Sequence, residues 1–174
     1  WSSDVCSSDL LAPLPVLRVD FPYRRAGKSF PDKTPVLVEC VRSEVRAFAE
    51  SLGVSTSSLV IGGRSMGGRM CSMAHTDPDD PLDVAGLVLV SYPLHPPKRP
   101  ENLRTEHLPS ITAPTLCVSG TKDNFGTPEE LESAFSVVKV PVTWHWIDNG
   151  RHELQRKDAE VASAIAEWLK QLVQ

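Results

Sequence analysis

A chain of 174 residues, 41% hydrophobic and 23% charged, is long enough to bury the core of one domain and too apolar to stay disordered. Its net charge of −4 gives no electrostatic reason to expect nucleic acid or an anionic membrane as a partner, and no apolar run reaches the roughly 20 residues of a membrane span. The cysteines Cys6, Cys40, Cys71 and Cys117 make no CxxC pair, and three lie in apolar or periodic stretches. That pattern reads as reduced, buried thiols in a cytoplasmic protein rather than disulfides or metal ligands.

Residues 1–10 read WSSDVCSSDL, a near-repeat of Ser-Ser-Asp with neither an initiator methionine nor a signal-peptide pattern. They are taken as a non-native or artefactual segment ahead of a domain over residues 11–174. Residues 15–21 (PVLRVDF), an apolar run closed by Pro22, predict a buried strand, with a loop to residue 32. Thr34 as N-cap and Pro35 at the first helical position then open a helix. Its apolar face carries Val38, Val41, Val45, Phe48 and Leu52, and Gly53 closes it.

Residues 58–62 (SLVIG) predict a second strand, a glycine-rich turn follows, and Met66, Met70, Met73 and Ala74 resume a helical pattern. The acidic, proline-punctuated stretch 77–83 lacks a Ca²⁺-loop spacing and reads as a solvated connection. A third strand is predicted at 84–90 (VAGLVLV) and a fourth at 115–119 (TLCVS), separated by the proline-rich, aperiodic stretch 92–109. Thr127, Pro128 and Glu130 form a capping box for a helix, residues 142–147 a fifth strand, and residues 158–173 a last helix. Strands that are apolar throughout and separated by helices imply a mainly parallel sheet covered on both faces, the α/β class.

Gly63-Arg64-Ser65-Met66-Gly67 matches G-x-S-x-G. The motif gains its force from context, since it follows a predicted strand and opens a predicted helix. A sharp turn there exposes the serine hydroxyl above the sheet, and Gly63 and Gly67 let neighbouring backbone pass without a Cβ clash. The helix N-terminus puts its positive end near Ser65, and the N–H of Met66 can donate to an oxyanion.

A serine hydroxyl needs a base. His152 lies in the loop after the last strand, where it can lean over the carboxyl edge of the sheet. The alternative, His145, falls inside the strand VTWHWI, where face packing is the simpler role. Asp123 follows the fourth strand through Ser119-Gly120-Thr121-Lys122, at the edge where ligands gather in open α/β sheets. It would orient His152. Asp148 is its rival, although that residue could simply cap a turn.

The segments GGRSMGGRM, SYPLHPPKRP, SGTKDNFGTPEEL and DNGRHEL, with FPY at Phe21 to Tyr23, together resemble the small KANL/Tex branch of α/β-hydrolases, akin to dienelactone hydrolases. The resemblance runs from about Pro15 to the C-terminus. It implies an α/β-hydrolase fold without a large lid and a catalytic triad of Ser65, Asp123 and His152. Members of this branch carry a His-Gly-Ala-Gly-type segment after an earlier strand, which supplies a second oxyanion donor. Nothing like it precedes Pro15, so the domain is expected to lack its first strands and half of its oxyanion hole. Losing one such donor costs about 10² to 10³ in kcat.

The sequence therefore leads to a serine hydrolase, using no cofactor and no metal, that cleaves a small-molecule ester or thioester of a small or medium acyl group. The alternative is a hydrolase-fold interaction module, because fold does not fix function. His95, Lys98, Arg99 and Arg104 in the stretch 92–109 could bind an acidic substrate or form a solvated loop.

Overall fold

Successive side chains of a strand point to opposite faces, so a strand apolar at every position needs cover on both. In the computed structural model, which describes residues 14–172, this requirement organises the chain. The described elements are α1 (Pro22–Arg25), α2 (Thr34–Leu52), β1 (Val60–Arg64), α3 (Met66–His75), β2 (Gly86–Val90), β3 (Thr115–Gly120), α4 (Pro128–Phe135), β4 (Val142–Ile147) and α5 (Asp158–Leu172). The four strands form one parallel sheet in the order β1-β2-β3-β4. Leu87, Leu89 and Cys117 face a core shared with α2, α3 and α4, while Val88, Val90, Leu116 and Val118 face α5.

The helices are placed by their apolar stripes. Leu37, Val38, Cys40, Val41 and Ala49 are the buried apolar side of α2, and Gly53 ends it at φ 68°. The N-cap is Lys33 and not Thr34, which lies inside the helix; Leu52 is left 39% exposed as the stripe rolls away from the core. The capping box of α4 forms as the sequence implies: Thr127 Oγ1 accepts from Glu130 N at 3.3 Å, and Glu130 Oε2 accepts from Thr127 N at 2.8 Å. On the opposite face, α5 buries Val161, Ile165 and Trp168. Burying one such side chain contributes about 1.5–3 kcal/mol.

Two further expectations are corrected. Residues 15–20 form no strand: they are irregular and exposed, with Val16 and Leu17 more than 40% accessible. A strand exists through a ladder of hydrogen bonds to a neighbour, and no ladder of the described sheet includes this run. Only Phe21 and Tyr23, beside and within α1, pack on the core. The acidic stretch 77–83 is not simply solvated, because Arg42 of α2 donates to Asp77 Oδ2 at 2.7 Å and Arg46 to Asp80 Oδ1 at 2.7 Å.

Cys40, Cys71 and Cys117 are buried free thiols, and burial pushes the Cys71 thiol up to about 12. Cys6 and the segment 1–10 lie outside the described residues. Among the described residues no helix is long and apolar enough to cross a membrane.

Candidate active site

The site is built where the carboxyl ends of the strands hand over to loops. β1 ends at Arg64, and Ser65 N still reaches across to Val90 O on β2, at 2.8 Å. Because α3 starts at the very next residue, the chain reverses on Ser65, which takes φ 52° and ψ −119°. Positive φ at a residue with a side chain costs on the order of 1–3 kcal/mol. Strand and helix can fold back this tightly only without side chains between them. A Cβ on Gly63 would lie 2.8 Å from Gly67 C, and one on Gly68 would lie 2.6 Å from Gly63 O. A Cβ on Gly67 would meet nothing within 4 Å, so the steric role expected of that residue passes to Gly68. It is Gly68 that the helix turns onto the strand.

Asp123 and His152 come from the loops after β3 and β4. Gly120 allows these loops to touch, since a Cβ there would lie 2.2 Å from Gly150 O. Backbone bonds then join them: Lys122 N donates to Gly150 O at 2.8 Å and Thr121 N to Ile147 O at 3.0 Å. Asn149 N adds a bond to Thr121 Oγ1 at 2.9 Å. Asp123 is buried, and its Oδ1 accepts from Phe125 N at 2.8 Å. Its Oδ2 lies 2.8 Å from His152 Nδ1, and His152 Nε2 lies 2.8 Å from Ser65 Oγ. A carboxylate only accepts, so Nδ1 carries the imidazole proton and Nε2 is left to accept from the Ser65 hydroxyl.

Two supports had not been read from the sequence. The ring of Phe125 stacks on His152, with centroids 3.9 Å apart and planes at 26°. Phe125 thus holds Asp123 through its N–H and His152 through its ring. Arg64, the variable residue before Ser65, donates from Nη1 to Glu153 O at 3.0 Å and places Nη2 3.3 Å from Asp158 Oδ1, tying the serine turn to the histidine loop. The only sequence signal for either was proximity to Asp123 or Ser65. Met66, first residue of α3, has an N–H with no acceptor inside the helix, free to meet an anion over Ser65.

The alternatives fall elsewhere. His145 sits on β4 with Nε2 3.9 Å from Glu160 Oε1 of α5, and Asp148 is exposed and accepts from Asn149 Nδ2 at 2.8 Å. Of the four candidate substrate-binding residues His95, Lys98, Arg99 and Arg104, Lys98 and Arg99 are exposed. His95 is buried between Pro96 O at 3.0 Å and Glu130 Oε2 at 3.4 Å. Arg104 is partly buried.

A parallel sheet covered on both faces, with a serine on a strained strand-to-helix turn facing a histidine and a buried carboxylate, defines the α/β-hydrolase fold class. The chain belongs to that family: the family model for an alpha/beta hydrolase domain matches residues 5–174. Among solved structures it is similar to an alpha-beta serine hydrolase homologue from Coxiella burnetii, at 18% identity and a TM-score of 0.61 over 82% of this chain. It is also similar to the Paleococcus ferrophilus monoacylglycerol lipase, at 20% identity and a TM-score of 0.58 over 78% of this chain. A thermophilic esterase from Thermogutta terrifontis matches over 78% of this chain at 20% identity, with a TM-score of 0.59. The chain spans 62% of the length of the Coxiella protein, 76% of the lipase and 72% of the esterase. At these identities the likeness is one of fold.

Proposed function

We propose that this domain is a serine hydrolase acting on an ester or thioester of a small or medium acyl group, within the KANL/Tex-type branch that its four motifs resemble. Ser65 Oγ attacks the acyl carbon while His152 Nε2 takes its proton, and Asp123 holds the resulting imidazolium. The N–H of Met66 donates to the oxyanion. Collapse breaks the bond to the leaving alkoxide or thiolate, which receives the proton from His152. Water then attacks the acyl-serine, His152 again takes the proton, and the acid leaves with Ser65 restored.

The observation that carries this reading is the unbroken chain Asp123–His152–Ser65, with 2.8 Å at each link. A fluorophosphonate reacts only with a serine that is both activated and flanked by an oxyanion donor, so it tests the mechanism without a known substrate. The expected result is labelling of the full-length protein that Ser65→Ala abolishes and His152→Ala nearly abolishes. A folded full-length protein that stays unlabelled would replace this reading with that of an interaction module.

A further inference from the structure

The two edges of the described sheet are built from different residues. β1 reads VIGGR, and its glycines and closing arginine make a poor template for a further strand. β4 reads VTWHWI, without the glycine, proline, lysine or acid that discourages edge pairing. Its register with β3 runs unbroken from Val142 to Ile147, so no bulge twists it away. Thr115 N donates to Pro141 O and Thr121 N to Ile147 O, each at 3.0 Å, which turns the odd-numbered residues of β4 toward β3. The N–H and C=O groups of Val142, Trp144 and Trp146 therefore point outward. Among the described residues no strand or loop takes them up.

The side chains beside this edge suit a second strand. Trp144 and Trp146 are half-buried and stacked, with centroids 4.8 Å apart and planes at 5°. Trp144 meets Phe135 of α4 edge-on at 5.6 Å, and Trp146 Nε1 donates to Glu132 Oε1 at 3.2 Å. Both rings are thus held before anything docks, which lowers the entropic cost to a partner. Lys139 stands before the strand and Asp148 after it, both exposed and in no ion pair among the described residues. The strand between them is about 17 Å long, so the two charges cannot meet within one chain.

A second β4 laid antiparallel about a two-fold axis at Trp144 changes that. Trp144 then opposes its own counterpart and Val142 opposes the partner's Trp146, so every outward N–H meets an outward C=O. Val140 falls opposite the partner's Asp148, which puts Lys139 beside that carboxylate at both ends of the pair. The edge is complementary to itself in backbone, in apolar surface and in charge.

We propose that the β4 edge binds a second copy of this chain, strand to strand and antiparallel, in a two-fold dimer centred on Trp144. The dimer is independent of the hydrolase reading, and it sets the partner's Lys139 against the start of the loop that carries His152.

The test is sedimentation velocity of the full-length protein from about 1 to 100 µM, where one chain should give way reversibly to two. Over the same range hydrogen exchange should slow at the amides of Val142, Trp144 and Trp146 and stay unchanged along β1. Thr143 is exposed and would face the partner's His145, so Thr143→Lys should weaken dimerisation about tenfold. Lys139→Glu and Asp148→Lys should each weaken it about threefold, and the two together should restore it. All three positions are exposed, so none of these variants threatens the fold. A single chain throughout, protection along β1 instead, or a dimer indifferent to Thr143→Lys overturns the proposal. A double charge reversal that fails to restore the dimer does so too.

Discussion

Residues 14–20 and the loops after β3 and β4 are equally irregular in backbone, and they sit in the molecule in opposite ways. The first is apolar in sequence yet exposes Leu14, Val16, Leu17 and Val19, each by more than a third. The second pair is polar in sequence, SGTKDN and DNGRHE, yet buries Asp123 and most of the His152 ring. What separates them is which described segments they are seen to bond. The loops exchange bonds with each other through Thr121, Lys122 and Gly150, and no strand ladder of the described sheet includes residues 14–20. Buried polar loops are stable when their groups are paired, and an apolar run gains little until something covers it.

The comparison is open to attack at both ends. The largest effect is expected at Asp123. Asp123→Asn should lower kcat by about 10⁴ while the far-UV spectrum stays native, because an amide in this position favours the wrong His152 tautomer. An unchanged kcat on any ester that Ser65 cleaves would remove Asp123 from the mechanism. Gly120→Ala strikes the contact between the loops. The added Cβ falls 2.2 Å from Gly150 O, backbone that has no rotamer by which to yield. A loss of about 3 kcal/mol in urea unfolding is expected, together with weakened fluorophosphonate labelling.

A third, smaller test uses pH on the stretch 92–109, which shares the buried character of the loops. His107 accepts or donates at Nε2 to Ser72 Oγ at 2.8 Å and is held neutral to about pH 4, against an ordinary 6.5. Between those values the unfolded chain takes up a proton that the folded chain refuses, so stability falls as pH drops through this window. The accumulated loss is up to about 3 kcal/mol. His107→Gln should flatten the melting temperature between pH 6.5 and 4, and an unaltered slope would place the acid sensitivity elsewhere. The smallest effect belongs to the exposed region. Leu17→Ser should shift stability by less than about 0.5 kcal/mol, whereas a large loss would show that residues 14–20 are covered in solution.

Much of the site could be read directly. G-x-S-x-G between a strand and a helix marked Ser65, and positions in the loops after two strands marked Asp123 and His152. These three side chains lie within hydrogen-bond reach in the order Asp123–His152–Ser65, and the capping box at Thr127 formed as written. Phe125 and Arg64 were not legible, because stacking on a ring and reaching a carbonyl 89 positions away leave no local pattern.

The sequence by itself determined the order of elements, the strand-to-helix turn and which residue types stand at the carboxyl edge of the sheet. These depend on neighbours in the chain, where apolar period, caps and glycines act within a few residues. Tertiary structure alone decided that the run 15–21 joins no strand ladder of the described sheet. It also decided that Gly68 rather than Gly67 must lack a side chain, and that two loops touch at Gly120 and Gly150. Each of these depends on what a distant segment brings within hydrogen-bond or van der Waals reach, and identical local sequences are silent about that.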